Sequence, residues 1–467
     1  MQRSRRSALR ASCGQSRARP CSRARRARRG NSTHASGVHE SWTRAAPAAR
    51  VASEGVRLMA IEIRSVTTEE LGAFQGNVAY AFAISRESYE QYLADGAESF
   101  FGPLGTRAAF VDGELATTLA WHRFRVAFNG PLVPIGAVTG VGTLPQHRRQ
   151  GLLRQVMTRS LSDLRDEGRP LAMLWASFGA IYQRFGYGLA SLEVGYRFDP
   201  RGVALREPRT YAGAIRVLRP EAARGAMERL YQRGLEGRTL LLERPVSWWD
   251  HQLLEASRHA SRTHVAVALD ADEEPRGYVR YRTAEDMHVD FEPGGDQSME
   301  ISDFVALDLD AHLALWEFIR AHDLVKQVKF AHAPEDDPIL DLLLEPRELR
   351  RATGDAMWLR VIDVAAALAA RGYDEDGAVT LAVRDDVCPW NDGSYRLRVT
   401  DGVARVDRIE AAGELTMPVA ALASLLSGFR SATHLARSGR IEGDADALRR
   451  ADRLFATARR PHVMDGF

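Results

Sequence analysis

The pattern of hydrophobic and polar positions changes about 60 residues into the chain. Residues 1–58 show neither the helical nor the strand period, so we do not expect this segment to bury a core. Beyond it the pattern becomes regular, and a strand is predicted at 61–66. Thr67 and Glu70 have the spacing of a capping box, which predicts the start of a helix. A second helix is predicted near 86–95.

Three long strand patterns follow. They are separated by Asp112-Gly113 and Asn129-Gly130, two dipeptides that favour tight hairpins, so an antiparallel meander is predicted. The next predicted elements are a helix with one apolar face, a buried strand and a short helix. The ranges are strands 107–111, 115–128 and 132–143, helix 151–167, strand 170–176 and helix 180–185. This order is typical of an α/β (α+β) domain, and we expect the chemistry where the third strand ends.

The middle of the chain, residues 206–350, has the character of the first domain. A strand predicted at 300–307 is followed by Asp308, Asp310 and a helix at 313–321. In the first domain the corresponding loop is rich in arginine. Aspartates at a helix N-terminus are good caps, but they repel an anion such as pyrophosphate. We therefore interpret this segment as a degenerate copy of the first domain.

The last segment, residues 351–467, alternates strands and helices again. A strand begins at Met357, and Asp363 is placed to cap the helix after it. The other predicted elements are strands 379–384, 395–400 and 403–409 and helices 418–428 and 445–455, the last capped by Asp444. The expected organisation is thus an N-terminal segment, 1–58, and three domains at 59–205, 206–350 and 351–467.

Charge separates the N-terminal segment from the rest. Residues 1–58 contain 14 arginines and only two acidic residues, Glu40 and Glu54, which gives this segment a net charge of +12. Since the net charge of the whole chain is +2, residues 59–467 carry −10. A transit peptide, a nucleic-acid-binding arm and a mis-assigned start codon before Met59 all fit this composition. We favour the mis-assigned start, since Met59 directly precedes the first regular strand. Only two lysines accompany 61 arginines, which indicates a compositional bias rather than a nucleic-acid surface.

Three further classes are disfavoured by composition. With three cysteines, of which only Cys388 lies beyond the N-terminal segment, we expect neither a disulfide framework nor a metal centre, and a cytoplasmic location is the simplest. The longest uncharged stretch, 126–146, contains Asn129-Gly130 and the helix-breaking Pro131 and Pro134, so we expect no membrane span. The 45% hydrophobic content excludes wholesale disorder.

The candidate site lies where the meander ends. The chain there reads Val141-Gly-Thr-Leu-Pro-Gln-His147-Arg-Arg-Gln-Gly-Leu-Leu-Arg154. A strand end followed by Arg-x-x-Gly at a helix start offers free backbone N–H groups, a positive helix dipole and arginines to an anion. Pyrophosphate is the natural guest. The four-residue pattern alone is weak, because arginines before a helix are more often solvated surface.

This segment is similar to the acetyl-CoA-binding loop of the GNAT N-acetyltransferases. The continuation from Leu171 through Ser177-Phe178 to Tyr187-Gly188 resembles one branch, the Eis (enhanced intracellular survival) family of aminoglycoside-type acetyltransferases. The resemblance extends from about residue 61 to the end. It implies tandem GNAT-like domains, a C-terminal sterol-carrier-like domain, acetyl-CoA as co-substrate and a homo-oligomer, a hexamer.

The resemblance also implies roles for particular residues. The cofactor-binding set is Val141, Gly142 and Thr143 for the thioester, Arg149, Gln150, Gly151, Leu152, Leu153 and Arg154 for the pyrophosphate, and Ser177 and Phe178 for the pantetheine arm. Phe178 stands where some members have Glu. Tyr182 would be the general acid, although its pattern alone fits a core aromatic equally well. The terminal carboxylate of Phe467 would be the general base.

The leading hypothesis is an N-acetyltransferase that acts on a small polycationic amine, such as an aminoglycoside or a polyamine. The acidic body of the chain would attract a cationic substrate. Two alternatives stay open: a protein lysine acetyltransferase, and a non-catalytic module that binds acyl-CoA or lipid. The acidic run at 270–274 and the pair Trp248-Trp249 are further candidates for an acceptor pocket, although surface and core positions explain them equally well.

Overall fold

A computed structural model describes residues 59–85, 87–88, 105–207, 209–250, 262–284 and 297–467. The arginine-rich N-terminal segment and most of the helix predicted near 86–95 lie outside the described residues. Within the described part of the chain, no helix is both long enough and apolar enough to cross a membrane.

The predicted meander is confirmed. The first sheet begins with β1 (Ile61–Arg64), β2 (Gly105–Val111), β3 (Glu114–Phe128) and β4 (Leu132–Thr143), each antiparallel to the next. Both hairpin dipeptides adopt positive φ at their two residues, 50° and 86° at Asp112-Gly113 and 53° and 116° at Asn129-Gly130. Two positive φ angles are what a type I′ hairpin turn requires. The two turns therefore fix the register of the long strands.

Helices pack on the strands of this sheet. They are α1 (Leu71–Ala81), α2 (Leu152–Asp166) and α3 (Gly179–Gln183), and β5 (Leu171–Trp175) lies between the last two. Glu70 accepts a hydrogen bond from the Thr67 N–H, so half of the capping box forms and the helix starts just after it. The apolar face of α2, including Leu161 and Leu164, is fully buried against the sheet.

The first sheet opens into a cleft because β4 and β5 diverge. Their parallel pairing is confined to Ile135–Ala137 opposite Leu171–Met173, although both strands continue further. On its other edge β4 carries a bulge, where Gly140 and Val141 together face one residue of β3. The carboxyl ends of β4 and β5 thus stand apart, and space between them is left for a ligand.

A second, seven-stranded sheet repeats the strand–helix–strand arrangement. After the short β6 (Gly188–Leu189), its members are β7 (Leu192–Phe198), β8 (Ala214–Leu218), β10 (Thr263–Leu269), β11 (Pro275–Ala284), β12 (Gln297–Ala306), β13 (Val325–Ala333) and β14 (Ala352–Asp355). The helices α4 (Pro220–Gly234), α5 (Leu309–Arg320) and α6 (Ile339–Leu342) accompany it, and β9 (Thr239–Leu242) follows α4. Helix α5 begins four residues earlier than predicted, because Asp308 caps it.

The last part of the chain forms a five-stranded sheet with helices. Its strands are β16 (Gly377–Arg384), β17 (Gly393–Thr400), β18 (Val403–Ile409), β19 (Leu415–Pro418) and β20 (Glu442–Gly443). The helices are α7 (Val364–Ala370), α8 (Val419–Leu426), α9 (Ala432–Arg437) and α10 (Ala445–Leu454), with the predicted caps Asp363 and Asp444 in place.

Strands of one predicted segment join the sheet of another. Strand β9 pairs with β3 of the first sheet, and β15 (Met357–Val361) inserts between β5 and β6. Strand β7 conversely joins the second sheet through β13 and β14. The boundaries at 205/206 and 350/351 stay predictions, but they do not separate independent sheets. This interleaving brings residues of the first and the last segment to the cleft.

Candidate functional site

The cleft between β4 and β5 holds a cavity of about 720 Å³, which we call the large cavity. It gathers nearly all of the residues predicted for cofactor binding: Val141, Gly142, Thr143, Arg149, Gly151, Leu152, Leu153, Arg154, Ser177 and Phe178. Tyr182 also lines it. Gln150 is not among the lining residues, and its side-chain amide instead donates to the Gln146 carbonyl at 3.2 Å. The residues singled out in the sequence therefore line one continuous cavity.

The helix start in this cavity has the features of an anion-binding site. Arg149 and Gly151 have φ of 65° and 79°, which turns the backbone sharply before α2 begins. Among the described residues, no side chain caps the N-terminus of α2. Its first N–H groups are thus left for a ligand, and the helix dipole adds positive potential there. Arg148 has a structural role, since its Nε donates to the Thr143 carbonyl at 3.0 Å.

The strand on the opposite wall is held by a bulge and by a close approach. Thr118 Oγ1 donates to the Gly140 carbonyl at 2.9 Å, which fixes the bulge at a residue with φ of 59°. A Cβ at Gly142 would lie 2.8 Å from the Cβ of Ala81, so only glycine fits beneath α1. The backbone from Gly140 to Thr143 is therefore held rigidly at the cleft.

A second cavity of about 350 Å³, the small cavity, adjoins the large one. The two share four lining residues: Phe82, Val141, Ser177 and Tyr182. The small cavity adds Trp175 from β5, Glu193 from β7 and Asp355 from β14. Phe467, at the carboxyl end of the chain, lines it as well. Both residues predicted for acid–base chemistry thus border one space, although 285 positions separate them in the sequence.

Tyr182 stands at the junction of the two cavities. It lies on α3, is 7% exposed, and its ring meets that of Tyr187 edge to face at 5.9 Å. Burial raises the pKa of its phenol to about 12. The hydroxyl therefore keeps its proton at neutral pH and is available as a donor.

The carboxyl-terminal tail, residues 461–467, runs into the small cavity. Trp175 Nε1 donates to the Asp465 carbonyl at 3.2 Å, and the Phe467 ring packs edge to face on Phe124 at 6.2 Å. Gly466 is exposed and Phe467 half-buried. The tail is consequently docked against the first domain rather than frayed.

Two carboxylates of the small cavity were not identified from the sequence. Glu193 and Asp355 lie on neighbouring strands, because Leu192 pairs with Asp355 and Glu193 with Gly354. Asp355 accepts from Trp358 Nε1 at 2.8 Å, and Glu193 Oε1 lies 3.3 Å from His332 Nδ1. The signal that would have found them is the pairing of β7 with β14, which local patterns cannot supply.

The other sequence candidates lie elsewhere. Trp248 and Trp249 are both 5% exposed and belong to the core. In the acidic run at 270–274, Asp270 Oδ1 accepts from the N–H groups of Asp272 and Glu274 and so shapes the turn between β10 and β11. Neither feature lines the large or the small cavity. Among the described residues, no cluster of three or more His, Cys, Asp or Glu is placed to hold a metal.

Three family models match the chain in order. An acetyltransferase (GNAT) domain matches residues 62–190, a second acetyltransferase (GNAT) domain matches 240–361, and a sterol carrier protein domain matches 364–464. The tandem arrangement and the C-terminal sterol-carrier-like domain predicted from the sequence are thereby confirmed.

Relatives are similar over most of the chain. An N-acetyltransferase Eis from Mycobacterium bovis is 33% identical over 71% of this chain and 81% of its own length. A protein of Streptomyces avermitilis described as an uncharacterized N-acetyltransferase is 33% identical over 76% of this chain and 88% of its own. The crystal structure of Eis1 from Mycobacterium abscessus superposes with a TM-score of 0.74 at 31% identity, covering 87% of this chain and all of that one.

Proposed function

The chain belongs to the Eis family of N-acetyltransferases, and from that premise we propose that it transfers an acetyl group from acetyl-CoA to an amine of a small polycationic acceptor, such as an aminoglycoside or a polyamine. One observation carries this proposal. The large and the small cavity meet at Tyr182, and the Phe467 terminus lies in the small one. A donor and an acceptor can thus approach one another from two sides of the same phenol.

The large cavity suits the donor. Its wall at Arg149–Arg154 offers uncapped N–H groups and two arginines to the pyrophosphate. The pantetheine arm would run past Ser177 and the Phe178 ring, which is 70% exposed in this structure. The thioester carbonyl would then align on the strand backbone from Val141 to Thr143.

The small cavity suits a cation. Its described lining residues include Glu193, Asp355 and Phe467 with its terminal carboxylate, but neither arginine nor lysine. Phe82 and Trp175 add aromatic rings, and ring faces attract ammonium groups. An acceptor with several amines could place one at the thioester while the carboxylates hold the others.

The chemistry needs a base and an acid. The Phe467 carboxylate would take a proton from the acceptor ammonium and pass it to solvent, and the neutral amine nitrogen then attacks the thioester carbonyl carbon. As the C–S bond breaks, Tyr182 would donate its proton to the sulfur and recover one from the attacking nitrogen, which becomes the amide nitrogen. A thiol has an ordinary pKa of about 8.5, well below that of this buried phenol, so the donation must accompany bond breaking rather than precede it.

The first test is a thiol-release assay on the full chain with acetyl-CoA. Aminoglycosides, polyamines, arylamines and lysine peptides serve as acceptors. We expect release of CoA with the polycationic small molecules and little with the arylamines. Turnover with lysine peptides alone would favour protein acetylation. Calorimetric binding of acetyl-CoA without turnover on any acceptor would favour the non-catalytic module.

The second test concerns the terminus. Deleting Phe467 moves the carboxylate one residue back and removes its aromatic anchor, and appending one residue replaces the carboxylate with an amide. We expect both changes to reduce turnover to the small residual rate of a site without its base, while acetyl-CoA affinity stays unchanged. Gly466→Ala is the matched control, since a Cβ there meets open space and the terminus is retained. Full activity after either terminal change would mean that Glu193 or another group is the base.

Assembly and location follow from the family resemblance alone. It supports a homohexamer and a cytoplasmic enzyme. Light scattering of the purified chain tests the assembly, and a mass of one or two protomers would contradict it.

A further inference from the structure

The tail that carries the proposed base is buried without regular secondary structure. Residues 461–467 form neither helix nor strand, yet His462, Val463, Met464 and Asp465 are all buried. Such a segment has few backbone ladder bonds to hold it. Its position must depend on individual anchors, and the strongest of these is at Asp465.

Asp465 binds an arginine of the second domain. Both of its carboxylate oxygens accept from Arg244: Oδ1 lies 2.8 Å from Nη2 and Oδ2 lies 3.1 Å from Nε, and both side chains are at most 3% exposed. Tyr231 donates to the second oxygen at 3.1 Å. Fork-to-fork contact with a guanidinium fixes direction as well as distance.

The arginine is itself held on every side. Its Nη1 lies 2.6 Å from Asp303 on β12, and Tyr278 on β11 donates to the same carboxylate at 2.8 Å. The guanidinium carbon is 3.8 Å from the ring centroid of Tyr231 and 5.0 Å from that of Trp249. The second domain therefore presents Asp465 with a preorganised receptor.

Only Gly466 separates Asp465 from Phe467. Two extended residues reach at most about 7 Å, so an anchored Asp465 confines the terminal carboxylate to a small region at the mouth of the small cavity. The Phe467 ring on Phe124 then selects a position within that region. A freely moving terminus would sample many others.

We infer that Asp465 is a positioning residue for acetyl transfer, and that the second domain takes part in catalysis by holding it through Arg244. The inference rests on the proposed function, because it requires the Phe467 carboxylate to act as the base. Asp465 touches neither the proposed donor nor the proposed acceptor: the lining of the two cavities does not include it.

The charges around Arg244 indicate a substitution of Asp465 that should leave the second domain folded. Burial, together with the nearby Asp303, raises the pKa of Asp465 even though Arg244 acts to lower it. Two carboxylates thus compete for one guanidinium. Asp465→Ala leaves the pair of Arg244 and Asp303 neutral and hydrogen-bonded, so the second domain should keep its fold. Asp163→Ala is the control, since it removes a carboxylate paired with Arg107 at 2.5 Å outside both cavities.

The experiment measures kcat and the KM for acetyl-CoA in the full chain, with a polyamine or aminoglycoside that wild type acetylates. We expect Asp465→Ala to lower kcat about 10–100-fold, because small misplacements of a reacting group have effects of that order. The KM for acetyl-CoA should stay unchanged, and Asp163→Ala should match wild type. Circular dichroism and thermal unfolding establish that each variant is folded.

A double variant separates positioning from general damage. If Asp465 acts only through the terminal carboxylate, Asp465→Ala combined with deletion of Phe467 should be no slower than the deletion alone. Multiplied losses in the double variant, or a wild-type kcat in Asp465→Ala, would overturn the inference. Should Asp465→Ala fail to fold, Tyr231→Phe replaces it: the ion pair stays, and a several-fold loss of kcat that vanishes in the background of the deletion is expected.

The same measurements distinguish this inference from the proposed function. An inactive wild type, or a wild-type rate after deletion of Phe467, would contradict the proposed function itself. An active wild type with an impaired deletion variant and an unimpaired Asp465→Ala would contradict only the positioning role.

Discussion

The first and the second domain each have a joint that leads from a long strand of the sheet into a helix, and the two joints have opposite chemistry. In the first domain β4 leads through Arg149 and Gly151 into α2, whose N-terminus no described side chain caps. In the second domain β12 leads directly into α5, where Asp308 accepts from the Ala311 N–H at 2.9 Å. Arg276 pairs with that aspartate at 2.8 Å. One joint leaves its backbone donors open, and the other satisfies them from within.

The difference teaches what a helix N-terminus must give up in order to bind an anion. A capping carboxylate stabilises the helix but fills the space and the charge that a phosphate would use. The second domain also has a cavity beside its joint, of about 410 Å³, which is lined by Asp308, Asp336 and Asp337 but also by Arg459 and by Arg238, the partner of Asp336. A cavity in the corresponding place is therefore not enough: an anion also needs a helix start whose backbone donors are free.

The largest difference between the two domains is expected when the proposed acid, Tyr182, is removed. Tyr182→Phe should lower kcat about 10²–10⁴-fold, the usual contribution of a general acid, without weakening acetyl-CoA binding. Tyr281→Phe is the matched control in the second domain, because burial raises the pKa of Tyr281 to about 12 as well. Steady-state kinetics and calorimetry give the two quantities. A wild-type rate for Tyr182→Phe would make Tyr182 a core aromatic.

The next effect is on the arginines of the open joint. Arg149→Ala and Arg154→Ala should each weaken acetyl-CoA binding by about 1.5–3 kcal/mol for the charge-assisted bond that is lost. Calorimetry at two salt concentrations measures it, and the difference from wild type should shrink at high salt. Affinity that is indifferent to both substitutions would mean that the pyrophosphate does not sit at this helix.

Local patterns were sufficient for the meander of the first sheet and for several helix starts, because these signals are local. Each signal depends on residues that are adjacent in the sequence. These signals are the two Gly-containing turns, the Gly151 start of α2 and the caps Asp308, Asp363 and Asp444. Most of the predicted cofactor residues line the same cavity because they too are close together in the sequence. Their roles were expected from the family resemblance and stay predictions.

What local patterns could not supply is long-range pairing. Nothing near Glu193 indicates that β7 leaves the first sheet and pairs with β14, which is what brings Asp355 beside it. The contact between Arg244 and Asp465 likewise joins positions 221 residues apart. Each partner alone looks like an ordinary charged residue. The proposed acceptor side of the site therefore became visible only in three dimensions.

A single substitution can transplant the second joint into the first. Gly151→Asp places a carboxylate before α2, where a Cβ meets open space, and should weaken acetyl-CoA binding about tenfold or more through repulsion of the pyrophosphate. Gly151→Asn is the matched control, with the same shape and the same positive φ of 79° but no charge. Calorimetry compares the two. Equal affinities would show that the charge of the joint does not decide its guest.

The smallest effect is expected at the closed joint. Asp308→Ala removes a helix cap, which typically costs about 1 kcal/mol of unfolding free energy, and should leave acetyl-CoA affinity unchanged. Burial acts to raise the pKa of Asp308, but the Ala311 N–H and Arg276 outweigh it and lower the pKa below its ordinary value. A carboxylate with a lowered pKa stabilises the fold above the ordinary value near 3.8 and loses that effect as the pH falls. Denaturant unfolding at neutral pH and near pH 3 should therefore show the gap between wild type and variant closing in acid. A gap that persists in acid would assign the stabilisation to packing rather than to the charged cap.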